Sequence, residues 1–140
     1  MIRKHRHRTA LIVLTFLFIG CSSKDPDRYY NRKDDFSIMF PKEWENKEGF
    51  MGCAVISLSP KENNADQFRE NVNVAVEPLP ADMNLHDYFE KSIPNVAKVI
   101  TDFQVIEKGT ATINDHEASW LIYSGRMGTI ILKCKQYYMI

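Results

Sequence analysis

Only one stretch of this chain repeats its apolar residues at helical spacing. Leu85, Tyr88, Phe89, Ile93, Val96, Ala97 and Ile100 share one face, while His86, Asp87, Glu90, Lys91, Asn95 and Lys98 fill the other. That period specifies an amphipathic helix that buries one side. Asn84 stands at the N-cap position, and Asp87 three residues on makes a shortened capping box. Pro94 interrupts the pattern. A proline in a helix interior removes one backbone bond and costs ~3 kcal/mol. A kink, or two short helices meeting near Ser92, is therefore expected.

The remaining apolar stretches read as strands on both sides of that helix. Phe36, Ile38 and Phe40 alternate on one face, and Pro41 ends the run. Phe50 to Leu58 is almost wholly apolar, as a strand covered on both faces would be. Asn71 to Leu79 alternates, with Val72, Val74 and Val76 inward, until Pro78 and Pro80. After the helix come predicted strands over 103–113, with a bend at Gly109, then 117–126 and 129–140. Asn114-Asp115 supplies the first hairpin turn, and Arg126-Met127-Gly128 the second. The fold class is α+β, an antiparallel sheet packed against helix. An apolar strand running to Ile140 leads to the expectation that the domain continues with a further strand and a C-terminal helix.

Not all 140 residues belong to that domain. Residues 1–20 carry Arg3, Lys4, Arg6 and Arg8 and no acid, followed by the uncharged stretch Thr9–Gly20. A basic n-region before a short apolar h-region is the pattern of an export signal peptide. The stretch is too short for a transmembrane helix, which needs ~20 apolar residues. Leu17-Phe18-Ile19-Gly20-Cys21 resembles a bacterial lipobox. The resemblance implies that Cys21 is lipidated and becomes the mature N-terminus. It also implies a partner, the membrane, and a place in the cell envelope facing the periplasm. Ser22 after the cysteine favours the outer membrane if the host is Gram-negative. Residues 21–35 are polar and read as a tether, with Tyr29-Tyr30 as its docking point, and 36–140 as the domain.

The zero net charge of the whole chain divides unevenly. Removing the four basic residues of the signal leaves 14 against 18 acidic, a net of −4. An acidic domain has no electrostatic footprint for phosphate backbones, so nucleic acid is excluded as a partner.

Few residues suggest chemistry. No G-x-S-x-G or H-E-x-x-H occurs, and no cofactor is expected. His86, Asp87 and Glu90 form a polar cluster on the helix that could face a ligand or a metal. Fewer than three converging His, Cys or carboxylate ligands are in view, so a solvated helix face explains them equally. With Cys21 assigned to lipid, Cys53 and Cys134 remain, 81 residues apart. They could form a disulfide in an oxidising envelope. Both sit in predicted strands, and a bridge needs Cα atoms within ~7 Å, so two free thiols are the competing state. Trp44, Trp120, Tyr123, Tyr137 and Tyr138 could build an aromatic binding surface or pack a core.

Taken together, the chain resembles the PsbP/DcrB-like family over residues 29–140. The resemblance rests on Phe36-Ser37-Ile38 followed by Pro41 and Trp44, and on Asn71-Val72-Asn73-Val74. It is supported by the Leu85-to-Ile100 helix, the hairpin before Ala118, and Gln136-Tyr137 in the last strand. It implies an α-β-α sandwich, no catalytic motif, and a binding or accessory role for another envelope protein. A periplasmic small-ligand carrier or enzyme, using a pocket between sheet and helix, is the alternative expectation.

Overall fold

The computed structural model describes residues 27–66 and 68–140. Residues 1–20 and Cys21, on which the export signal and lipid attachment rest, lie outside them. Two units separate at Phe40/Pro41.

In the first unit, β1 (Arg28–Asn31) pairs antiparallel with β2 (Phe36–Met39). Tyr29 lies opposite Ile38, and its ring meets Phe36 and Phe40, each at 6.1 Å between centroids. These contacts use the alternating face expected for the first strand. β1 was not expected, since it falls within the polar stretch read as a tether. Tyr29 holds it against the apolar row of β2, while Tyr30 lies on the opposite face, across from Ser37. The connecting loop is closed by Asn31, whose Oδ1 accepts from the N–H groups of Lys33 and Asp34, each at 3.0 Å.

The second unit opens with β3 (Glu45–Glu48), β4 (Val55–Leu58) and β5 (Asn71–Val74), an antiparallel sheet in that order. The strand expected from Phe50 begins only at Val55. Gly49, Met51 and Gly52 all have positive φ, so 50–52 form a 3-10 turn instead. Val55, Ile56 and Ser57 are buried, as the apolar run implied. β5 stops at Val74, and both Val72 and Val76 are exposed, against the inward alternation expected of them. The 59–70 loop is tied back by Arg69, which donates to the carbonyls of Ser59 and Leu58 and pairs with Glu45 at 2.8 Å. That guanidinium, with the Lys47 ammonium, holds the Glu45 carboxyl below its ordinary value.

α1 (Leu85–Val99) is one continuous helix with Pro94 inside it, not the two short helices considered from the sequence. Pro94 and Glu90, whose carbonyl loses its i+4 partner, are both exposed, so water can satisfy that carbonyl. The start is capped as the sequence suggested. Asn84 Oδ1 accepts from the Asp87 N–H at 2.9 Å, and Asn84 Nδ2 donates to Asp87 Oδ2 at 3.0 Å. Asn84→Ala should therefore cost about 1 kcal/mol, read as a lowered denaturation midpoint with an unchanged slope.

β6 (Thr101–Ile113), β7 (His116–Met127) and β8 (Ile130–Tyr138) form the three-stranded antiparallel meander expected after the helix. Asn114 and Asp115 both have positive φ, as a two-residue type I′ turn demands. The second turn is Gly128-Thr129, with only Gly128 at positive φ. The irregularities of β6 fall at 101–104 and 105–107, not at Gly109. α1 covers one sheet face through Leu85 and Phe89, joined by Ile100 at its C-cap, packed on Leu121, Tyr123, Leu132 and Tyr138. The class is thus mixed α+β, with three antiparallel sheets where one was expected, each built from sequence neighbours.

That core predicts an alkaline limit. Burial pushes the Tyr138 hydroxyl up to about 12, and burial followed by the nearby Cys134 thiol raises Tyr123 further. A raised value favours the neutral phenol in the folded state. Stability is therefore intact below the unfolded value near 10 and is lost as pH rises through about 12. Thermal melts should show a midpoint that falls across that window.

Candidate functional site

The five aromatics singled out from the sequence separate by strand parity. Tyr123 and Tyr138 face α1 and belong to the core. Trp120 and Tyr137 are directly paired across β7 and β8 and lie on the far face of the sheet, turned away from α1. Trp44 is half-buried in a turn where its N–H donates to the Pro41 carbonyl at 3.0 Å.

The far face is organised around the Trp120 ring. Gly109 is its cross-strand partner on β6, and a Cβ there would lie 2.9 Å from the indole. The missing side chain is what lets the ring lie against the strand. Trp120 Nε1 donates to the Thr110 carbonyl at 3.2 Å, which fixes its orientation. Lys135 then places its ammonium 4.8 Å from the Trp120 centroid and 5.0 Å from that of Tyr137. Both rings present their negative π-faces to the cation, an attraction of ~0.5–1 kcal/mol at an exposed site. Lys133 stands two residues away on the same face, with no ion-pair partner among the described residues. Ile131 continues the row at 80% exposure, and Tyr137 ends it at 46%. The result is an exposed row of apolar, cationic and aromatic groups, suited to recognition.

His86, Asp87 and Glu90 are all exposed on α1. Asp87 is occupied with the cap and Glu90 with Lys108 at 2.7 Å. The space between α1 and the sheet is filled by Phe89, Leu121 and Tyr138, so the trio does not border a pocket there. No group of three metal-binding side chains occurs among the described residues. Cys53 and Cys134 are both half-buried free thiols, so the bridge considered for them is not formed. A shallow cavity of about 200 Å³ lies at the β1–β2 loop, bordered by Arg32, Asp35 and Phe36 among others. It is smaller than the ~300 Å³ at which ligand pockets begin.

Sequence reasoning named Trp120 and Tyr137 but missed Lys133 and Lys135. The signal was present in the alternation of Ile131, Lys133, Lys135 and Tyr137. Reading it required the register that pairs Trp120 with Tyr137.

No helix among the described residues is long and apolar enough to cross a membrane. The chain matches no family model, no curated protein and no solved structure.

Proposed function

We propose that this protein works by binding, without catalysis, as a lipid-anchored accessory factor for another component of a bacterial envelope. The observation that carries the reading is the exposed Ile131–Lys133–Lys135–Tyr137 row beside Trp120. Aromatic residues anchor protein interfaces because they bury large areas at low entropic cost, and charged neighbours steer the partner. The lipobox-like segment ending in Cys21 supports the anchor. Lipidation physics supports its form: one acyl chain holds marginally, so a stable anchor needs two or more. A PsbP/DcrB-like sandwich is the finer fold reading we attach to the α+β architecture.

The anchor is tested by metabolic labelling with a radioactive fatty acid. Label should enter the wild-type protein and partition with membranes, and Cys21→Ser should abolish both. A Cys21→Ser protein that stays labelled would refute the anchor.

A further inference from the structure

β8 forms one edge of its sheet among the described residues. Its hairpin with β7 has a two-residue loop, which makes Met127 and Ile130 the hydrogen-bonded pair that closes it. Hydrogen-bonded pairs then recur at every second residue. Leu132, Cys134, Gln136 and Tyr138 turn their N–H and C=O groups toward β7. Ile131, Lys133, Lys135 and Tyr137 turn theirs outward. The same four residues carry their side chains on the far face, and all four are exposed. β8 contains no proline, and its pairing with β7 has no bulge. Such an edge is a template for one more strand.

The side chains decide which strand fits. Lys133 and Lys135 are about 7 Å apart along the strand. No carboxylate is paired with either among the described residues; Lys135 is held by rings. Residues directly opposite on an added strand would share their face, with Cβ atoms ~4.5–5.5 Å away. Lysines on an edge ordinarily deter strand addition. Here they deter basic strands and a second copy of β8 in a register that sets lysine against lysine. A strand with carboxylates at alternate positions meets both lysines and is selected by the same charges.

We propose that an extended acidic segment of a partner protein, with Asp or Glu at alternate positions, adds to the β8 edge so that its carboxylates face Lys133 and Lys135. This deepens the binding role proposed above and rests on it. Its outward hydrogen bonds supply the affinity, and the lysine row supplies the choice of partner.

The test uses the full chain and three peptides: one alternating glutamate with valine, one alternating lysine with valine, and one with the glutamates grouped. The alternating acidic peptide should slow amide exchange at Ile131, Lys133, Lys135 and Tyr137, and higher salt should weaken it. The double variant Lys133→Glu/Lys135→Glu, folded by thermal melt, should lose that peptide by about tenfold or more and gain the lysine one. Equal binding of all three peptides would overturn the proposal. So would protection of those four amides before any peptide is added, which means that another strand already fills the edge. Protection by phosphatidylglycerol vesicles but not by the acidic peptide would overturn it in favour of a lipid surface. None of these failures touches the anchored-binding role, which fatty-acid labelling and cross-linking judge separately.

Discussion

Leu121→Ala should lower the unfolding free energy by about 2–5 kcal/mol. Leu121 is fully buried at the centre of β7, the middle strand, in the cluster that joins α1 to the sheet. Truncation removes the transfer energy of its lost carbons and leaves a cavity. Phe89 on α1 and Tyr138 on β8 belong to the same cluster and already meet edge-on, with centroids 5.3 Å apart. Their mutual packing limits how far either can move to fill the space, so the cost should lie toward the upper half of that range. Denaturant unfolding should show a reduced midpoint with little change in slope. A loss below 1 kcal/mol would mean that the α1–sheet core is not the one described.

The second large effect is expected at Gly125, through too little space instead of too much. Gly125 is buried on β7 beneath the point where α1 hands over to β6. A Cβ added there would stand 2.2 Å from Ile100 Cγ2 and 2.9 Å from the Thr101 carbonyl oxygen. Neither neighbour gives way cheaply. Ile100 is a buried, β-branched residue of the core, and Thr101 is backbone. The turn is also clamped. Asp102 takes a positive φ, and Arg126 Nε donates to its carboxylate at 2.8 Å. Overpacking of this kind costs about 1–3 kcal/mol and can exceed that. Gly125→Ala should therefore destabilise strongly, although alanine replaces glycine within a strand. Adding Ile100→Ala removes the closest atom, so the double variant should be more stable than the sum of the single losses predicts. Additive losses would place the strain elsewhere.

What the sequence made legible was local. The α1 cap, its apolar face and the Asn114-Asp115 turn each depend on residues within a few positions of one another. The missed elements depend on a partner strand. Glu45–Glu48 has no apolar residue and becomes β3 only because Glu45 pairs opposite Leu58 and Glu48 opposite Val55. Phe50–Gly52 looked like strand because it is apolar and continuous with Val55. Its backbone turns instead through left-handed conformations that composition does not reveal, Met51 included. Pro94 argued for a break, but helix propensity is a weak prior against packing on both sides of it, by Phe89 and by Val96.

The candidate site was legible to the same degree. Parity along β7 already separates Trp120 from Tyr123. Bringing Lys135 between Trp120 and Tyr137 depends on the turn lying at Gly128-Thr129. The three-residue turn expected over Arg126-Met127-Gly128 would pair Gly125 with Thr129, an odd number of residues out of this register, and send the lysines to the other face.

The proposed role has this protein holding a partner on the far face of the β6–β7–β8 sheet. The most direct measurement is cross-linking in the producing cell, from a photoreactive residue placed at Tyr137 and, separately, at His86. Both positions are exposed, and they lie on opposite sides of the sheet. The far-face account predicts a discrete cross-linked product from position 137 and none from position 86. Equal products from both, or a product from position 86 alone, would contradict it.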